Sequence, residues 1–182
     1  MARIDNTVRS IRPGVALLIL SVGLGSGAVA QAASYIGLDG SSLTIENTLD
    51  DELTPGGIRL RLGMPVAPMI DVELHLGGGT EDHTLAADRF TAVYMGAFLK
   101  GYLPVGRRSA LYGLAGVSGV DYTQTLDRRD FSDERSGFSY GFGLETELSR
   151  RVDLSADYVR YVSDDGPFSE LSSVNLGLKF YF

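Results

Sequence analysis

From residue 34 onward, apolar and polar side chains alternate along the chain, and this alternation constrains the fold more than any other feature. A period of two is typical of β-strands whose two faces meet different surroundings. The clearest segment runs from Val174 to Phe182, where valine, leucine and phenylalanine alternate with polar residues and glycine. A helix would need apolar residues at spacings of three and four, and these segments place charges there instead. The pattern therefore predicts strands rather than helices.

Eight segments carry this alternation. They span residues 35–42, 58–64, 70–76, 93–102, 111–122, 138–148, 152–158 and 174–182. In most of them, charged residues mark one face and leucine, valine, isoleucine or phenylalanine marks the other. In segments 35–42 and 111–122 the pattern leaves open which face points outward.

The connections between these segments alternate between long and short. Four long polar stretches include ENTLDDELTPG and TQTLDRRDFSDER, and the three short ones are PVAP, PVGRR and SRR. An antiparallel meander places all long loops at one end and all short turns at the other, as in barrels that cross a membrane. The fold class predicted is all-β, an eight-stranded antiparallel up-and-down transmembrane β-barrel.

A soluble up-and-down barrel of the lipocalin kind is the alternative, because it hides its apolar face inside. Two features favour lipid. The segments approach the roughly 9–11 residues that a tilted membrane-crossing strand needs. The polar face also carries many charges and several glycines, which suits a narrow interior.

Residues 1–32 have the features of a secretory signal peptide. Arg3, Arg9 and Arg12 form a positive start, a short apolar run follows over residues 15–24, and small residues end it. We expect cleavage after Ala30 or Ala32, which leaves residues 33–182 as the barrel domain. The apolar run is shorter than the roughly 20 residues of a membrane-spanning helix.

Composition excludes several classes of protein. The chain has no cysteine, which rules out disulfide scaffolds, cysteine-ligated zinc and iron–sulfur clusters. Its formal net charge of −7 argues against a nucleic-acid partner. We expect no cofactor and no metal site.

The last strand segment ends on four residues with a recognisable spacing: Asn175, Gly177, Phe180 and Phe182. This ending resembles the C-terminal assembly signal of outer-membrane barrels. The resemblance implies recognition by the barrel-assembly machinery, with periplasmic chaperones acting earlier, and implies that Phe180 and Phe182 face lipid.

As a whole, residues 33–182 resemble the small eight-stranded outer-membrane barrels, the family of the outer membrane protein A transmembrane domain, outer membrane protein X and the "porin family" proteins. The resemblance implies a monomer in the outer membrane of a Gram-negative bacterium, in contact with its lipid and lipopolysaccharide. Tryptophan, common in the aromatic girdles of such barrels, is absent. We therefore expect tyrosines, together with the phenylalanines, to supply the aromatic residues of the girdle. The tyrosines expected in the girdle are Tyr35, Tyr94, Tyr102, Tyr112, Tyr122, Tyr158, Tyr161 and Tyr181.

The polar faces predict a charged interior. An eight-stranded barrel is just wide enough for side chains to fill, and buried charges persist only when they are paired. We therefore expect an internal salt-bridge network, with a narrow ion path as the alternative. Its predicted members are Arg59, Arg61, Asp71, Glu73, Lys100, Glu145, Glu147, Asp157 and Lys179, with Asp39 and Asp153 on the same faces.

Some barrels of this size are enzymes that act on lipid A, so we considered the two histidines. His75 falls on an interior face with no serine two residues away, and His83 falls in a long loop beside Thr84. A catalytic triad is assembled from distant residues, so spacing leaves a lipid A-modifying hydrolase open as an alternative. We expect a packed His75, a solvated His83 and no catalytic site.

The long loops are acidic. Their acidic residues do not match the spacing of an EF-hand, so the pattern gives little support to bound cations. Arg128, Arg129, Arg135 and Arg160 are candidates for lipopolysaccharide phosphates, but the pattern favours solvated surface charge over that role. The function predicted is an integral outer-membrane protein with a structural or surface-interaction role.

Overall fold

The computed structural model describes residues 33–47, 52–82, 89–126, 129–163 and 168–182. Eight long antiparallel strands account for nearly all of them. They are β1 Tyr35–Asn47, β2 Gly56–Ala67, β3 Ile70–Asp82, β4 Arg89–Pro104, β5 Ser109–Leu126, β6 Arg129–Ser149, β7 Val152–Ser163 and β8 Phe168–Tyr181. A two-residue strand, Glu52–Leu53, pairs with the end of β1. No helix among the described residues is long and apolar enough to cross a membrane.

The sheet closes on itself. Each strand pairs with the next, and β8 pairs with β1 from Tyr35↔Tyr181 to Asn47↔Phe168. This confirms the predicted eight-stranded up-and-down barrel. Closure gives the backbone groups at membrane depth partners within the sheet, which a lipid-embedded strand requires because no water is available there.

The alternation in sequence becomes an inside and an outside. Leu38, Leu74, Phe142 and Leu176 point outward and are 56%, 50%, 64% and 60% exposed. The charged residues between them on the same strands point into the barrel and are buried. Apolar side chains this exposed over the whole circumference fit a surface solvated by lipid.

The two strands whose facing was undecided follow the same rule. In β1, Asp39 points inward and Leu38 outward. In β5, Tyr112 and Leu114 are buried inside while Leu111 is exposed. Tyr112 lies opposite Gly143 of β6, which leaves space for its ring inside the barrel.

The short connections lie together at one end of the barrel, at 68–69, 105–108 and 150–151. At the other end, β5 and β6 extend furthest, with 18 and 21 residues. Pairing of β6 with β7 begins only at Tyr140↔Arg160. Within the described residues, segment 129–139 of β6 therefore pairs with β5 alone and forms a hairpin that rises above its neighbours.

The tight turn at Pro68–Met69 contains the one described non-glycine residue with positive φ, Met69 at 62°. Proline followed by positive φ is the arrangement of a type II turn, which favours glycine at the second position. We expect Met69→Gly to raise the free energy of unfolding by about 1 kcal/mol, because glycine removes a left-handed cost of about 1–2 kcal/mol.

Urea titration of the reconstituted barrel measures this change. Arg150→Gly is the matched control, since it lies in another two-residue turn where no positive φ occurs. There glycine only adds entropy to the unfolded chain, and we expect a loss of about 0.5 kcal/mol. Equal effects of the two substitutions would contradict the assignment of strain to Met69.

Candidate functional site

The interior of the barrel is the most unusual part of the structure. Arg59 and Arg61 of β2, Lys100 of β4 and Lys179 of β8 point inward, and their side chains are completely buried. Charges buried in this way are costly unless each is paired and hydrogen-bonded. The contacts of these four cations therefore define the site.

The two arginines lie at the centre of the barrel. Arg59 donates from Nε to Asp39 Oδ2 at 2.8 Å and from Nη2 to Asp157 Oδ2 at 2.7 Å. Arg61 donates from Nη2 to the second oxygen of Asp39 at 2.6 Å. The register explains this geometry, because Asp39 of β1 lies directly opposite Arg59 of β2. The cluster ties β1 and β2 to β7 across the interior.

The two lysines lie nearer the short-turn end and share a carboxylate. Lys179 Nζ donates to Glu145 Oε2 at 2.8 Å, and Lys100 Nζ contacts the same oxygen at 3.3 Å. Lys100 also reaches Glu73 Oε2 at 3.2 Å. Its ammonium lies 3.8 Å from the centre of the Tyr112 ring, a favourable cation–π distance.

His75 is held between two partners inside the barrel. Its Nε2 lies 2.7 Å from Glu73 Oε1, and its Nδ1 lies 2.9 Å from the Tyr161 hydroxyl. The ring also packs 4.5 Å from the ring of Phe98 and is buried. Both ring nitrogens therefore have a hydrogen-bonding partner inside the barrel. His83 lies outside the described residues.

Three acidic residues lie near the short-turn mouth. Asp71 accepts a hydrogen bond from the Tyr102 hydroxyl, and Asp153 accepts one from Tyr181 at 2.7 Å. Glu147 differs from the sequence prediction, because its side chain is exposed rather than buried in the network. It lies on the inward phase of β6, two residues before the strand ends, and lines the open cavity at the short-turn mouth.

The half of the interior nearer the long loops is apolar, which the sequence analysis missed. Tyr94 stacks against Tyr161 with ring centres 4.3 Å apart, and Phe98 meets Tyr161 edge-on at 6.0 Å. Aliphatic side chains complete the packing. The cluster comprises Leu43, Ala92, Tyr94, Phe98, Tyr112, Leu114, Val120, Tyr122, Val159, Tyr161 and Leu171.

The predicted aromatic girdle is therefore wrong for most of its tyrosines, whereas Phe138, Phe142, Phe180 and Phe182 do lie on the outer surface. Of the eight tyrosines predicted for the girdle, only Tyr158 lies on an outward-facing position, where it contacts Phe142. Five of the others follow the charged phase of their strands, as Tyr94 does with Lys100 and Tyr161 with Asp157. Tyr112 and Tyr122 differ, because the single charged residue of β5, Asp121, lies on its exposed face. For those five tyrosines, the shared phase was the signal available in the sequence.

Inward-facing glycines make room for these rings. A Cβ on Gly77 would lie 2.5 Å from Tyr94 Cζ, and a Cβ on Gly63 would overlap the Tyr35 ring. In both cases the glycine lies opposite the tyrosine on the neighbouring strand. The glycine excess thus serves the packing of a narrow interior.

The four residues of the predicted C-terminal signal divide between the two faces of β8. Asn175 is buried, accepts from Ser41 Oγ at 2.6 Å and donates to Asp157 Oδ1 at 2.8 Å. Gly177 also faces inward, against Asp39. Phe180 and Phe182 lie at the outer surface with 47% and 75% exposure.

No group of three or more histidine, aspartate or glutamate side chains within the described part of the chain is arranged to hold a metal ion. The carboxylates at the centre face guanidinium and ammonium groups instead. The geometry is that of a filled, charge-compensated interior, which defines a membrane-embedded barrel whose lumen is plugged by its own side chains.

Comparison with known proteins gives the family. A family model described as "Outer membrane protein beta-barrel domain" matches residues 15–182. The chain belongs to this family and is an outer-membrane protein. The search of curated proteins found no match.

Solved structures show the same fold at low identity. Neisserial surface protein A matches with a TM-score of 0.72 and 15% identity, covering 83% of this chain and 98% of that one. Ail, the attachment invasion locus protein of Yersinia pestis, matches at 0.63 and 14%, covering 82% and 97%. The N-terminal β-barrel domain of Pseudomonas aeruginosa OprF matches at 0.61 and 11%, covering 81% and 97%.

Proposed function

We propose that this protein is a non-conducting anchor in the outer membrane that presents its long loops to partners at the cell surface. The observation that carries the proposal is the filled interior. Arg59 and Lys100 close its lower half with their carboxylate partners, and the aromatic cluster around Tyr161 closes its upper half. A barrel closed in this way offers its outer surface and its loops for function.

The loop side supports a role in surface contact. The β5–β6 hairpin rises above the barrel, because the pairing of β6 with β7 begins only at Tyr140↔Arg160. Acidic residues outnumber basic ones in each of the four long loops, which disfavours polyanionic partners.

That preference contrasts with one relative. Ail has been crystallised in complex with a heparin analogue, sucrose octasulfate, which is a polyanion. The acidic loops of the present chain lead us to propose a neutral or basic partner instead. We also propose that Asn175, Gly177, Phe180 and Phe182 form the assembly signal. We further propose that the protein is a monomer and that lipopolysaccharide surrounds it in the membrane.

The enzyme alternative gains no support from His75. Its two nitrogens contact Glu73 and Tyr161 inside the packed interior, and the residue is buried. We therefore propose that the barrel is not a hydrolase. We propose that His75 stabilises the interior by bridging Glu73 to the aromatic cluster.

The proposal predicts that the folded protein does not conduct ions. In planar lipid bilayers, we expect traces of the purified full chain to match those of lipid alone, while a water-filled porin added under the same conditions gives steps. Heat-modifiable gel mobility verifies that the sample is folded. Reproducible steps whose size changes in Lys179→Gln would identify an ion path through the lumen and contradict the proposal.

A further inference from the structure

The short-turn end of the barrel carries a compact group of arginines. Arg107 and Arg108 lie on the turn between β4 and β5, and Arg150 and Arg151 form the turn between β6 and β7. The two turns are adjacent, since the backbone N–H of Glu147 donates to the carbonyl of Arg108 at 2.8 Å. All four arginines are exposed, and among the described residues none of them forms an ion pair.

The position of this group relative to the lipid-facing surface is informative. Leu103 and Val105 precede the first turn and are 63% and 52% exposed, and Leu148 precedes the second and is 56% exposed. The arginines therefore begin within two residues of the last exposed apolar side chains. That height corresponds to the boundary between hydrocarbon and headgroups, where long cationic side chains reach lipid phosphates.

The charge is also one-sided. The third short turn, at 68–69, borders β4 on its other side, because the backbone N–H of Tyr102 donates to the carbonyl of Met69 at 3.0 Å, and residues 62–70 contain no charged side chain. The long loops at the other end of the barrel are acidic. Four guanidinium groups that form no ion pair within the described part of the chain are thus gathered on the β4–β7 side of one rim.

We propose that Arg107, Arg108, Arg150 and Arg151 form a binding surface for the phosphate groups of anionic phospholipids in the leaflet at the short-turn end. Guanidinium groups suit phosphate because they present several donors in a planar fork. A soluble anion is the less suitable occupant. The cavity of about 410 Å³ at the lumen mouth beside these turns is also lined by Glu147 and Asp153, whose charges repel phosphate from that side.

The absence of tryptophan provides a clean probe. In Leu103→Trp, one introduced indole lies beside the arginine turns; in Val66→Trp, it lies beside the uncharged turn. Each full-length variant is reconstituted in vesicles containing dibrominated phosphatidylglycerol or dibrominated phosphatidylcholine, and fluorescence quenching gives the relative affinity of the two lipids at that point of the surface.

We expect phosphatidylglycerol to be preferred about fivefold at position 103 and about equally with phosphatidylcholine at position 66. Replacing the four arginines by glutamine in the Leu103→Trp background brings the preference to about one, while heat-modifiable mobility verifies folding. A ratio near one at position 103, or the same preference at both positions, overturns the proposal. So does a preference that the glutamine variant retains.

A second arm separates lipid from free phosphate. Inorganic phosphate and sodium chloride are added at equal ionic strength, and a membrane surface is expected to respond to both in the same way. Loss of the preference with phosphate but not with chloride would assign the arginines to a soluble anion and overturn the lipid assignment.

Discussion

Replacing Arg59 by methionine is expected to lower the free energy of unfolding by about 3–5 kcal/mol, the cost of removing one partner from a buried ion pair. Methionine keeps an unbranched apolar stem and lacks the guanidinium group, so the substitution removes the charge without introducing a new polar group. Asp157 then keeps its hydrogen bonds from Tyr112 and Asn175 but loses the guanidinium at 2.7 Å. Urea titration of the barrel in lipid vesicles, followed by gel mobility, measures the change.

Two further variants show whether the loss comes from the charge pair. Arg107→Met makes the same chemical change on an exposed turn, and in vesicles of phosphatidylcholine alone, which contain no anionic lipid, we expect it to alter stability by no more than about 0.5 kcal/mol. Combining Arg59→Met with Asp157→Asn removes both charges and is expected to recover about 1–3 kcal/mol through coupling of the two sites. A loss below about 1 kcal/mol for Arg59→Met would mean that water compensates the carboxylates, and would contradict a dry network.

The sequence determined the two faces of the barrel because alternation in a strand is rigid. Once Lys100 or Asp157 must avoid lipid, every second residue on that strand turns inward with it. The same rule also applies to the tyrosines, most of which face inward. Tyrosine suits both an interface and a packed interior, so its chemistry does not decide its place. On strands that carry inward charges, the phase of a tyrosine relative to those charges decides its place.

The pairing of charged side chains inside the barrel does not follow from the alternation. Which carboxylate meets which cation depends on the stagger of the strands, and stagger is set by closure of β1 against β8 rather than by any local pattern. Asp39 serves both arginines only because this register places it opposite Arg59. Glu147 has the inward phase of β6 as well, but its side chain lines the open mouth of the barrel and stays exposed.

The pairing of β1 with β8, the seam that closes the barrel, is the site of the second large predicted effect on stability. Gly177 of β8 lies opposite Asp39 of β1, and a Cβ there would overlap the carbonyl oxygen of Leu38 and lie 2.6 Å from the Cα of Asp39. The obstacle is backbone, which cannot rotate away as a side chain would. Gly177→Ala is therefore expected to cost about 3 kcal/mol, at the upper end of the usual overpacking range.

Gly113→Ala is the matched control, because a Cβ there meets nothing within 4 Å. It lies on the outward face of β5, and we expect it to stabilise the barrel by about 0.4–1 kcal/mol through the unfolded chain. The same urea titration compares both variants with the parent protein. Equal effects of the two alanines would show that the seam has room to adjust and contradict the packing argument.

Gly177 is also a member of the proposed assembly signal, so the two roles must be separated. Refolding of the purified chain into lipid vesicles needs no assembly machinery, and a packing defect must appear there as a lower folded fraction and a lower urea midpoint. A recognition defect would appear only in cells. If Gly177→Ala refolds in vesicles with the midpoint of the parent protein yet assembles poorly in cells, the glycine acts through recognition and the steric account of the β1–β8 seam is wrong.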